Sequence, residues 1–130
     1  MSTYLAVAAG GALGSLARYG ASLAGAALLG PSFPWGTLAV NVVGSWLIAF
    51  FALLSEPGGR FAATANARHF VMAGFCGGFT TFSVFSLETV RMLQAGSTGL
   101  AAAHIGLSAA LWIGAACVGH AMAERLNRRR

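Results

Sequence analysis

A chain of 130 residues with 57% hydrophobic and only 8% charged side chains is too poor in charge for a water-soluble surface, since soluble domains carry about a quarter charged residues. Its mean hydropathy of +0.72 places it in lipid, and its length allows a single domain over residues 1–130. The formal charge of +5 does not mark a nucleic-acid partner: there is no Lys, and Arg125, Arg128, Arg129 and Arg130 crowd the C-terminus, where they read as an anchor to anionic lipid headgroups.

The first predicted element runs from about Thr3 to Leu28. A span needs about 20 mostly apolar residues to cross about 30 Å of hydrocarbon. The stretch lacks the charged start of a secretory signal, so it is expected to remain as a span. Its AAGGALGSLARYG segment places Gly10, Gly14 and Ser15 where two helix backbones can approach closely. Arg18 stands alone in this apolar setting. It either anchors the helix, by reaching the interface or a backbone carbonyl, or attracts an anion.

GPSFP, from Gly30 to Pro34, is a turn that leads into a second span, Trp35 to Leu54. In PWGTLAVNVVGS, Thr37 and Asn41 are four residues apart and share a helix face. An amide offers two N–H donors and a hydroxyl one more. Such donors suit either a small anion that must shed water or a helix–helix hydrogen bond.

A polar stretch, Ser55 to His69, separates this span from a third, Phe70 to Leu93, which reads GFCGGFTTFSVFSLE over Gly74 to Glu88. Gly77, Gly78, Thr80 and Thr81 predict a broken helix in mid-membrane, whose freed carbonyls could hold a cation. Phe82 and Phe85 then share a face, with Phe75 and Phe79 extending the stripe upstream and Ser83 and Ser86 one position behind. Aromatic edges are electropositive and can face a dehydrated anion, although a Phe stripe also serves plain packing. Glu88 is the acid inside a span, readable as an ion-coupling group or as a polar contact near the interface.

QAGSTG turns the chain into a fourth span, Thr98 to Met122. Four spans put both termini on one side with six arginines, and the positive-inside rule makes that side cytoplasmic. Cys76 and Cys117 lie in apolar runs without metal-ligand spacing and read as small hydrophobes. His69, His104 and His120 are scattered, and without an Asp no Ser-His-Asp arrangement exists. Nothing points to an enzyme. Four thin helices enclose little space, so a dimer is the natural way to build a path.

GGALGSLARYG, PWGTLAVNVVGS and GFCGGFTTFSVFSLE, one in each of the first three spans, together resemble the CrcB/Fluc family of fluoride channels. The resemblance implies an all-α integral membrane fold, four transmembrane helices with a broken third, in an antiparallel homodimer holding two fluoride pores. It implies that Phe82 and Phe85 turn ring edges to the ion and that Asn41 donates to it. Thr37, Ser83, Ser86, His104 and Ser108 would form a polar track. The carbonyls of Gly77 and Thr80 would hold a structural Na⁺ at the dimer centre, and Arg18 would sit near the pore vestibule. The function implied is passive export of cytoplasmic fluoride across the inner (plasma) membrane.

Three departures stand out. His104 occupies a position where the family pattern has Tyr, bringing an imidazole whose reference pKa is about 6.5. Trp112 stands where some relatives carry a hydroxyl, and Val84 replaces a Thr. The arginine bias predicts one orientation, so either the tail acts too late to decide insertion or an oppositely oriented paralogous subunit is the partner. The alternative reading is a small proton-coupled multidrug exporter exchanging protons at Glu88, against which stands a first span without any acid.

Overall fold

The computed structural model describes residues 2–128, all of whose regular structure is helical. Helix α1 is Thr3–Leu29, α2 is Trp35–Leu54, and α6, the last, is Thr98–Arg128. Between them lies an interrupted pass: α3 (Ala65–Arg68), a π-helical stretch His69–Cys76, α4 (Gly77–Phe79) and, after a break, α5 (Ser83–Gln94).

The helices start and stop for local reasons. Ser2 caps α1 by accepting from the Leu5 N–H, and Gly30, at φ 83°, ends it in a conformation that suits glycine. Thr64 caps α3 by accepting from the Ala67 N–H. The last carbonyls of α2 are collected by side chains: Arg68 Nη1 donates to Ala52 O at 3.0 Å, and Asn127 Nδ2 donates to Leu53 O at 3.2 Å.

Those bonds also fix the topology. Thr3 Oγ1 donates to Asn66 Oδ1 at 3.1 Å and Arg60 N to Asn127 Oδ1 at 2.9 Å, so the start of α1, residues 55–68 and the end of α6 share one end of the bundle. This is the end expected to gather Arg60, Arg68, Arg125 and Arg128; Arg129 and Arg130 lie outside the described residues.

Three passes, Trp35–Leu54, Ala65–Gln94 and Thr98–Arg128, are long and apolar enough to cross a membrane. Helix α1 has the length, 27 residues, but its glycines, serines and Arg18 lower its hydropathy. Those same small residues join it to the bundle. A Cβ on Gly74 would lie 2.7 Å from the Val7 carbonyl oxygen, and one on Gly78 would lie 3.0 Å from Gly11 Cα. Lipid gives helices no hydrophobic reason to associate, so close backbone packing and hydrogen bonds must hold them. Helix α2 packs along α6 on the other side, where Gly119 fits against the backbone at Trp46. The outward faces are apolar, with Leu5, Leu16, Leu28 and Ile113 exposed, as a lipid-facing surface requires.

Candidate functional site

The site grows from the interruption at residues 80–82. The break falls within the expected Gly77–Thr81 segment: the helix holds through Gly77 and Gly78 and fails at Thr80, whose backbone is extended (φ −80°, ψ 159°). Gly78 lies against the backbone of Gly11 in α1, where no side chain would fit. Thr80 closes α4 by turning both its N–H (2.9 Å) and its Oγ1 (2.8 Å) onto the Cys76 carbonyl.

Asn41 then takes over. Its Nδ2 donates to Thr81 O at 2.8 Å and its Oδ1 accepts from Thr81 N at 2.7 Å, so a buried amide side chain replaces the helical partners of one peptide unit. In an uninterrupted helix the Thr81 N–H would bond the Gly77 carbonyl, which loses that partner here. Asn41, whose amide has a second N–H, also lines a cavity of about 290 Å³ together with Thr80, Thr81, Phe82 and Trp112. Thr81 Oγ1 starts the next helix by accepting from the Val84 N–H at 3.1 Å. The negative end of α4 and the positive end of α5 therefore meet at the break, offering carbonyls on one side and amides on the other.

Phe82 and Phe85 lie just past the break with ring centroids 5.6 Å apart. Phe85 is buried, whereas Phe82 is 72% exposed along the cavity. The continuous stripe expected from Phe75 to Phe85 is instead two pairs, because the extended Thr80 separates the stacked Phe75 and Phe79 from it. Phe85 meets two side chains of α6: His104 at 4.7 Å and Trp112, edge to face, at 4.9 Å.

His104, Ser108 and Trp112 recur every four residues on one face of α6. Both nitrogens of His104, Ser108 Oγ and Trp112 Nε1 are buried without a hydrogen-bond partner, as is Glu88 Oε2. A buried orphan costs about 1–3 kcal/mol, so such a column marks a place where water or an ion completes the bonding. Glu88 enters the column from α5, its Oε1 accepting from Thr37 Oγ1 at 2.8 Å and its Oε2 lying 3.7 Å from His104 Nε2.

Thr37, Asn41, Phe82, Phe85, His104 and Ser108 thus lie in one region of the fold. Ser83 stands beside Thr81, their hydroxyls 3.3 Å apart, and Ser86 spends its proton on the Phe82 carbonyl at 2.9 Å. Arg18 reaches the break from α1, its Nε donating to Gly78 O at 3.1 Å. It thereby takes the anchoring role, while Arg91 lines the separate cavity beside Thr37 and Glu88. Arg18→Leu should remove a charged hydrogen bond and destabilise the fold by about 1.5–3 kcal/mol, read as a lower thermal midpoint in detergent.

Sequence reading placed Thr81 at the break without pairing it to Asn41, which clamps its peptide, and gave Trp112 no site role. The Trp112 signal was its four-residue register with His104 and Ser108; the clamp, spanning 40 positions, has no local signal.

A multi-pass helical bundle with a broken pass, a clamped peptide and a column of unpartnered buried polar atoms defines a membrane protein that lets a small polar species through. The chain belongs to the CrcB family: the profile described as "CrcB-like protein, Camphor Resistance (CrcB)" matches residues 5–120. It is 51% identical over 127 residues to the "Fluoride-specific ion channel FluC" of Opitutus terrae, covering 98% of this chain and 96% of that one. It is 48% identical over 125 residues to "Fluoride-specific ion channel FluC 1" of Rhodopseudomonas palustris, covering 96% and 89%. The Rhodospirillum rubrum "Fluoride-specific ion channel FluC" is also 48% identical over 125 residues, covering 96% and 97%.

Proposed function

We propose that this protein is a fluoride-selective passive channel that lets cytoplasmic fluoride leave the cell across the inner membrane. The observation that carries the reading is the column of buried unpartnered polar groups on α6 beside Phe85, whose Trp112 shares a cavity with Asn41. It is supported by relatives named fluoride-specific channels over nearly the whole chain. Hydroxyl, imidazole, indole and amide donors can replace the water around a small anion without a fixed positive charge that would trap it. Ring edges of Phe82 and Phe85 add electropositive C–H groups. The membrane potential, negative inside, drives an anion out by about 2.3 kcal/mol per 100 mV, so no coupling reaction and no enzymatic step is needed.

Two copies in opposite orientation give the assembly its two pores. Phe82 and the cavity beside it are open in a single chain, and a second copy is what would cover them. A structural Na⁺ at the centre of such a dimer fits the donor set. The Gly77 carbonyl has given up its helical partner, a Cβ on Gly77 would meet nothing within 4 Å, and hard cations take oxygen ligands. Gly77 and Thr80 of each copy would hold the ion, and its charge would offset the carbonyl ends of α4. The proton-coupled exporter alternative gains no support, since the relatives are named channels and α1 contains no acid.

The test is fluoride efflux from liposomes carrying purified protein, followed by a fluoride electrode after adding a K⁺ ionophore, with chloride as control. Fluoride loss without chloride loss is expected, and Phe82→Ile or Phe85→Ile should abolish it while the variants still purify as folded protein. Chloride loss at the fluoride rate, or full efflux in both Phe variants, would overturn the reading.

A further inference from the structure

Glu88 stands in the proposed path of an anion, where a bare carboxylate is an obstacle. Its Oε1 accepts from Thr37, but its Oε2 is buried without a partner, 3.7 Å from His104 Nε2. The His104 side chain is 0% exposed and neither of its nitrogens is hydrogen-bonded. A neutral imidazole has one N–H and one bare nitrogen, so the pair has room for one further proton, on the carboxyl or on the bare ring nitrogen. With that proton the pair is neutral; without it the pair carries a full negative charge beside Phe85 and Ser108.

We propose that Glu88 and His104 form a proton-binding site within the anion path, and that fluoride passes when the pair holds one proton and is held back when it does not. The proton comes from water and returns to it; no covalent bond to fluoride forms. The inference rests on the channel reading and adds to it a control by pH.

The surroundings leave this role to the pair. Helix α2 presents Thr37 to Glu88, the 30–34 turn presents Phe33 to His104, with ring centroids 5.4 Å apart, and α5 adds Phe85. Helix α1 contributes Ser22 to the cavity beyond Glu88. Arg91, one turn after Glu88 on α5, lines that cavity and acts on Glu88 through its field, but as an arginine it stays charged throughout. Glu88 and His104 are therefore the groups at this end, among the described residues, that can take up or release a proton while Arg91 stays charged.

The experiment is the liposome assay at matched internal and external pH from about 5.5 to 8, counting only efflux that requires the K⁺ ionophore. That component excludes leakage of neutral HF, and empty vesicles set the background. The wild-type rate should fall with rising pH, approaching about tenfold per unit above the pair's proton-binding range. Glu88→Gln, a neutral amide of nearly the same shape, should give a fluoride flux that no longer varies with pH. His104→Gln, which cannot take up a proton, should lose the wild-type pH profile. A flat wild-type profile, an unchanged profile in His104→Gln, or abolished flux in a folded Glu88→Gln would each overturn the proposal. Absence of any ionophore-dependent fluoride efflux, at all pH values, would overturn the channel reading itself.

Discussion

Asn41→Asp should reduce fluoride efflux at least about a hundredfold while changing the size of the side chain hardly at all. The substitution acts twice. An ionised Asp has no N–H, so the Thr81 carbonyl, now bonded by Asn41 Nδ2 at 2.8 Å, is left without a partner in a buried setting. The same substitution puts a negative charge on the wall of the cavity shared with Phe82 and Trp112. At about 5 Å and an effective dielectric of about 20, a unit charge repels an anion by about 3 kcal/mol, or about a hundredfold in rate. The measurement is the ionophore-driven efflux rate beside the thermal midpoint in detergent. The two consequences separate, because Asn41→Leu loses the clamp without gaining the charge. A fall in stability shared by both variants, with the larger loss of flux in Asp, is expected. Wild-type flux in Asn41→Asp would remove Asn41 from the path.

Much of this architecture is legible in the residues, and the misses have physical causes. The second pass is readable to the residue, Trp35–Leu54, because Pro34 and Ser55 bound an unbroken apolar run. The third begins at Ala65, not near Phe70, since the polar ANARH segment looks like a loop until Thr64 is seen capping it. The fourth continues to Arg128 although its last turns are polar. Hydropathy reports where lipid ends, and a helix need not end there. The π-helical stretch His69–Cys76 leaves no pattern in the sequence, because it answers to packing against α1. The break falls inside the predicted Gly77–Thr81 segment, and its exact place is set by packing: Gly78 stays helical against α1, and the chain opens at Thr80. Residue types leave Asn41 and the Phe pair open between path and packing, and it is the family resemblance that names them, with His104 and Ser108, as a site. Their pairing across 40 to 60 positions comes from the fold.

Gly14→Val should prevent the protein from folding or assembling, whereas Gly106→Ala should leave it intact or make it slightly more stable. Both glycines lie inside helices, so propensity alone favours each replacement by alanine by about 1 kcal/mol. Space decides between them. A Cβ on Gly14 would run into the Phe75 carbonyl oxygen and come within 2.8 Å of the Phe79 nitrogen, both backbone atoms of the interrupted pass. Backbone cannot swing aside as a side chain can, so α1 would have to move away, and overpacking of this kind costs about 3 kcal/mol or more. That movement would also pull Arg18 from the Gly78 carbonyl, so the loss would spread to the break. A Cβ on Gly106 would meet nothing within 4 Å. The check is the yield of monodisperse protein in detergent and its thermal midpoint. A Gly14→Val protein that melts with the wild type would mean that α1 does not lie against the interrupted pass. The close backbone contact would then not be what carries this less apolar helix into the bundle.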